Sequence, residues 1–230
     1  MRTQTKEIQT HLTPRTAVDI LREGNQRFVN NLRYNRNLLQ QVNETSEGQF
    51  PFAVVLSCID SRTSAELIFD QGLGDIFSVR IAGNVLNEDV LGSMEFGCQV
   101  AGSKLIVVLG HSRCGAVKGA CDHVQMGHLT GLLTKISPAV HVVENAQGRG
   151  GDPQQFVEHV ALENTRHQMR AILDRSPILE HLFNDGKIGI VSAMYSVESG
   201  DVTFHDQQFG PEPAGEQSAA SAASGPLAMA

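Results

Sequence analysis

Apolar residues run along this chain in two rhythms. Ala17, Ile20, Leu21 and Phe28 recur at helical spacing behind Thr13 and Pro14, an N-cap and first-turn pair, so the pattern predicts a helix over 14–32. Short, almost wholly apolar runs follow at 52–57, 76–81, 104–109 and 187–195. Such runs belong to strands covered on both faces. Between them, 64–70, 89–101 and 153–174 read as helices, the last with Leu162, Thr165, Met169, Ile172 and Leu173 on one face. Residues 201–205 add a short edge strand, reached by a hairpin through 198–201.

Strands alternating with helices predict an α/β fold: a mainly parallel sheet of four strands in the order 2-1-3-4, with an antiparallel edge strand, flanked by helices. Residues 1–50 form an N-terminal helix and arm, with 35–49, rich in Asn, Gln and Glu, read as a loop or extended arm. Residues 51–210 form the α/β domain, with a flexible connector at 145–152. From Pro211 to Ala230 the chain is rich in Ala, Ser, Gly and Pro without periodicity, which predicts a disordered tail.

Composition narrows the function. The chain has 230 residues, 41% hydrophobic and 19% charged, enough for a full-sized core. Its formal net charge of -7 speaks against a nucleic-acid or anionic-membrane partner, both of which need a basic footprint. No apolar run reaches membrane-spanning length, and the N-terminus carries no apolar signal core, so a cytoplasmic location is expected. Thiols normally stay reduced there, and cysteine spacing then points to metal or catalysis rather than disulfides.

Two stretches carry that chemistry. Cys58-Ile59-Asp60-Ser61-Arg62 follows the first strand, and Gly110-His111-Ser112-Arg113-Cys114-Gly115 follows the third. In an extended segment i and i+2 point the same way, so Cys58 and Asp60 aim at one place. His111 and Cys114, three apart, are expected to open a helix as neighbours. In a 2-1-3-4 sheet both stretches reach the carboxyl ends of adjacent strands, the crevice where such sheets bind ligands. Two thiolates, an imidazole and a carboxylate suit tetrahedral zinc. Arg62 leaves Asp60 two roles, as fourth ligand or as the partner of a bidentate guanidinium, which would keep a position open for water. Cys98 and Cys121 lack ligand spacing and read as packing.

The order CIDSR, VRIAGN, GHSRCGAVKG closely resembles the bacterial β-class carbonic anhydrases, strongly from Phe50 to Cys121 and more loosely in the first helix and fourth strand. The resemblance implies one zinc per subunit on Cys58, His111 and Cys114, with Asp60 and Arg62 as a catalytic dyad. The implied reaction is reversible hydration of carbon dioxide to bicarbonate and a proton by zinc-bound hydroxide. It further implies substrate contacts from Gln49, Phe77, Phe96 and the Gly115 backbone. The same resemblance implies homodimers or dimers of dimers, with the 1–50 arm packing on a partner subunit. Some relatives move the Asp between metal and Arg and bind bicarbonate at an inhibitory site. Arg80 and Tyr195 match that site, but Val55 stands where it has Trp. Hydrolysis of carbon disulfide or carbonyl sulfide, and a non-catalytic zinc module, are the competing functions.

Overall fold

Four apolar segments meet as parallel neighbours; 53–57, 105–111 and 189–195 bury both faces inside the sheet, while 76–80 at the edge is partly exposed. In the computed structural model, which describes residues 3–211, the strands are β1 (Ala53–Ser57), β2 (Ile76–Arg80), β3 (Leu105–His111), β4 (Gly189–Tyr195) and β5 (Val202–Phe209). Their order is β2-β1-β3-β4-β5, with β1 parallel to β2 and β3, β3 parallel to β4, and β5 antiparallel at the edge. The tail expected beyond Pro211 lies outside the described residues.

Ten helices surround the sheet among the described residues: α1 (Lys6–His11), α2 (Pro14–Val29), α3 (Leu38–Glu44), α4 (Ala65–Ile68), α5 (Glu88–Glu95), α6 (Gly115–Cys121), α7 (Gly127–Leu133), α8 (Ser137–Gln147), α9 (Pro153–Arg175) and α10 (Pro177–Asn184). None is long and apolar enough to cross a membrane. Thr13 caps α2 by accepting from the Thr16 N–H, and Ser176 caps α10 ahead of Pro177. The helix expected at 89–101 is α5 continued by a π-helical turn, Phe96–Val100.

Alternation along the strands divides the core. Val55, Leu105, Val107, Leu109 and Val191 face α2 and α4, while Val54, Leu56, Ile106, Val108 and Ile190 face α5, α9 and α10. The α2 stripe is therefore spent on this chain's own sheet: Ala17 and Leu21 are fully buried there, with Ile20 and Phe28 packed alongside. A third cluster closes over the carboxyl ends of the strands, where Cys58 and Cys114 meet Val117 of α6, Val140 of α8 and Val160 of α9.

Three sequence expectations are corrected. The stretch 35–49 contains α3, capped by Asn37, whose side chain accepts from the Gln40 N–H. Its pattern misleads because the helix buries polar Gln41, which accepts from the Leu73 N–H at 3.2 Å, and exposes Leu38, Leu39 and Val42. His111 does not open a helix. Pairing with Tyr195 of β4 extends β3 to include it, and Cys114 then caps α6. The connector begins only at Gly148, since α8 runs to Gln147.

Candidate metal centre

The chain turns sharply after each central strand, and those turns aim the ligands. Cys58 lies one residue past β1. Its carbonyl accepts from the Thr63 hydroxyl and from Arg80 Nε, both at 3.0 Å, while Arg80 Nη2 donates to the Asp60 carbonyl at 2.6 Å. On the other side, Arg113 takes a left-handed φ of 55°, and its N–H donates to Glu158 Oε1 of α9 at 2.8 Å. That strained residue lets the chain double back so that Cys114 returns to His111.

The result is a group of three: the Cys58 sulfur, an imidazole nitrogen of His111 and the Cys114 sulfur lie within 4.8 Å of one another, all buried. His111 Nδ1 meets the Ser112 carbonyl at 2.9 Å. A carbonyl only accepts, so Nδ1 carries the hydrogen and Nε2 holds a bare lone pair. That Nε2 is buried and has no hydrogen-bond partner. Leaving a polar atom so costs free energy unless another ligand takes it up. The Cys58 thiol is held well below the ordinary thiol range, first by its hydrogen bond with Cys114 and further by the Gly83 N–H, against burial. The same bond and burial push Cys114 up. A divalent cation bound here would be neutralised by two thiolates. The donor set fits a tetrahedral metal with one position open.

Asp60 stands beside this group rather than in it. Its two oxygens take Arg62 Nε at 2.9 Å and Nη2 at 2.8 Å, and Oδ1 also accepts the Arg62 N–H at 3.0 Å. The bidentate Arg62 partner that the sequence offered is in place. The Arg62 guanidinium holds the carboxyl well below the usual carboxylate range. Gly115, the first residue of α6, has open space before its α-carbon.

Other candidates lie apart. Phe77 and Phe96 pack edge to face, ring centroids 6.2 Å apart, along the β2 edge, and line a surface cleft with Arg80. Gln49 is exposed beside Gly74, near the amino ends of the strands, at the opposite end of the sheet from the sulfurs. Arg80 is on β2 and Tyr195 on β4, with β1 and β3 between them, and two of the Arg80 donors are committed to the Cys58–Asp60 turn. Cys98 and Cys121 are buried free thiols, pushed up to about 12 and about 11 by burial, in keeping with packing. Residues missed in the sequence include Asn164 and Gln168, buried polar side chains on α9 that hold the 81–86 loop. Their signal was the i, i+4 polar pair interrupting an apolar face.

The family model described as carbonic anhydrase matches residues 53–202. Carbonic anhydrase 2 of Mycobacterium tuberculosis is 35% identical over 199 residues, covering 84% of this chain and 93% of that relative. Among solved structures, the β-carbonic anhydrase CcaA aligns with a TM-score of 0.69 at 25% identity, covering 83% of this chain and 88% of its own. A structure from a study of two tetrameric β-carbonic anhydrases of Sordaria macrospora aligns at 0.66 with 19% identity, covering 72% and 89%. A matched domain that spans every parallel strand, close relatives over most of the chain and a shared fold leave one conclusion: this chain belongs to the carbonic anhydrase family, in its β class.

Proposed function

We propose that the protein is a zinc enzyme that interconverts carbon dioxide and bicarbonate, with one zinc per subunit held by Cys58, His111 and Cys114. The observation that carries this reading is the buried, unpartnered Nε2 of His111 converging with two sulfurs beside an ionised Asp60–Arg62 pair. When bound, zinc acts as a Lewis acid that makes a coordinated water acidic near neutral pH.

The chain's own residues do the rest. Arg62 holds both oxygens of the Asp60 carboxylate with one edge of its guanidinium, which orients the carboxylate. An ionised carboxylate only accepts hydrogen bonds. Asp60 would therefore accept a hydrogen bond from the attacking oxygen and leave a lone pair of that oxygen directed at the substrate carbon. Its depressed affinity for protons means that it orients the nucleophile and does not store the released proton. The Gly115 backbone, with no side chain in front of it, leaves room for a bound bicarbonate.

Gln49, Phe77 and Phe96 complete the site only across an interface. Gln49 lies at the far end of its own sheet, and the two rings lie along an edge strand whose outer side is unpaired among the described residues. We therefore take the active form to be a homodimer or a dimer of dimers. In it, Gln49 of the partner subunit would reach toward a substrate oxygen. Phe77 of the partner subunit and Phe96 of the partner subunit would keep the pocket dry. A reducing compartment, the cytoplasm, suits a site that depends on two free thiols.

Stopped-flow measurement of carbon dioxide hydration, with zinc quantified on the same sample, tests the proposal. One zinc per chain and rapid hydration are expected for the wild type, and loss of both for Cys58→Ser. Full zinc content in Cys58→Ser, or hydration that survives complete zinc removal, overturns it.

A further inference from the structure

Gly83 sits in the loop between β2 and α5 with φ 68° and ψ 18°, a left-handed conformation that glycine adopts without strain. Its N–H donates to the Cys58 sulfur at 3.3 Å. A Cβ here would come within 2.7 Å of Ile136 Cδ1, so the position requires the residue with the greatest backbone freedom. Something else must therefore hold it still.

Two amides on α9 do so. Asn164 Nδ2 donates to the Gly83 carbonyl at 2.9 Å, and Gln168 Nε2 donates to Asn164 Oδ1 at 3.0 Å. Gln168 Oε1 in turn accepts the Leu86 N–H at 3.1 Å. The polarity of this chain of bonds is set by a backbone group. Leu86 N–H can only donate, so the Gln168 oxygen must face it and the Gln168 nitrogen must face Asn164. Asn164 then has only its oxygen to offer Gln168 and only its nitrogen to offer Gly83. Asn164 is fully buried and Gln168 is 3% exposed, so water does not compete; Gln168 Nε2 also reaches the Lys135 carbonyl at 3.4 Å.

We infer that Asn164, oriented by Gln168, is a positioning residue for the metal centre: it clamps Gly83 so that the Gly83 N–H points at the Cys58 sulfur. The inference rests on the reading of Cys58 as a metal ligand. An N–H directed at a thiolate draws electron density from the sulfur and fixes its direction. Partners of this kind, one step removed from the metal, typically change affinity by about ten- to a hundredfold when lost.

The test uses the full chain, loaded with zinc for affinity and with cobalt(II) for spectroscopy, in wild type, Asn164→Ala, Gln168→Leu, Thr165→Val and Cys58→Ser. Thr165 is equally buried on α9, but its hydroxyl bonds back to the Leu162 carbonyl and takes no part in the chain. In Asn164→Ala, zinc affinity by chelator competition should fall about ten- to a hundredfold. Its sulfur-to-cobalt charge-transfer band should move to longer wavelength, because a sulfur without its N–H donor gives up charge more easily. Gln168→Leu should move both in the same direction by less, and it carries the test if Asn164→Ala does not fold. Thr165→Val should match the wild-type spectrum. A folded Asn164→Ala that loses thermal stability yet keeps wild-type affinity and spectrum overturns the inference. So does a Thr165→Val that shifts equally, since general loosening of α9 would then explain both. If Cys58→Ser keeps both the wild-type charge-transfer band and the wild-type affinity, the ligand reading itself fails. Loss of metal there with an unchanged Asn164→Ala sinks only the inference.

Discussion

Asp60 concentrates the residue-scale chemistry, because it is ionised, aimed and outside the ligand group. Asp60→Asn keeps the three ligands and so should keep its zinc, while turnover falls on the order of a hundredfold or more with loss of the oriented acceptor. Stopped-flow rates at matched zinc content check this. The pair also has a pH signature. Arg62 depresses the folded-state value of Asp60 below its ordinary 3.8, so the stabilisation is complete above that pH and is lost only as pH falls through the lower folded value. The difference in thermal midpoint between wild type and Asp60→Asn should therefore be flat from pH 8 to about pH 5 and shrink below about pH 4. A loss of activity between pH 8 and 6 then cannot come from protonating Asp60. At this scale much was legible in the sequence. The two motifs and their places after adjacent strands were legible; that His111 ends β3 and meets Cys114 through a left-handed turn at Arg113 was not. Asn164 and Gln168 showed only as a polar i, i+4 pair in an apolar face; what they bond was not legible, because their partners, Gly83 and Leu86, lie far away along the chain.

Among the elements, α2 and α3 make opposite uses of their apolar residues. α2 turns its stripe inward, and Gly24 lets it approach so closely that a Cβ there would lie 1.8 Å from the Phe69 carbonyl oxygen. Asn25 completes the joint by donating to the Ile68 and Gly200 carbonyls at 3.1 and 2.9 Å and accepting from the Val202 N–H at 2.8 Å. Gly24→Ala has better helix propensity yet must displace backbone, so it should destabilise the protein by about 1–3 kcal/mol, read from the denaturant midpoint. An unchanged or raised midpoint would mean that α2 is free to shift. α3 instead buries Gln41 and leaves Leu38, Leu39 and Val42 exposed, which is why hydrophobic periodicity could not find it. The end of β3 shows the same limit. Nothing local marks His111 as strand, since its membership depends on pairing with Tyr195, a residue of β4.

For the whole molecule, the sheet order matters most. With β1 and β3 adjacent and their crossovers on opposite faces, α4 on one and α5 on the other, a crevice opens at their carboxyl ends. That crevice receives Cys58 from one strand and His111 from the other. The arrangement also leaves Gln49 at the opposite end of the sheet from the metal group, which is why the proposed pocket needs a second copy of the chain. Phe96, 52% exposed at the β2 edge, is suited to the interface. Sedimentation velocity should find the wild type as a dimer or larger and Phe96→Glu shifted toward monomer. The monomer should keep its zinc, because all three ligands belong to one chain, and lose hydration activity with the partner's contribution. A monomer with full activity would refute the shared pocket.

Strand and helix rhythm, the parallel sheet, and the identity of the thiols, imidazole and dyad were all written into the order of residues, because each depends on neighbours a few positions away or on topology rules with few exceptions. Three outcomes needed the folded chain: the two-point contact of Arg62 with Asp60, the hydrogen bonds from α9 onto the 81–86 loop, and the separation of Gln49 from the metal group. Each turns on where segments distant in sequence come to rest, and that is set by the packing of the whole core, which no local pattern encodes.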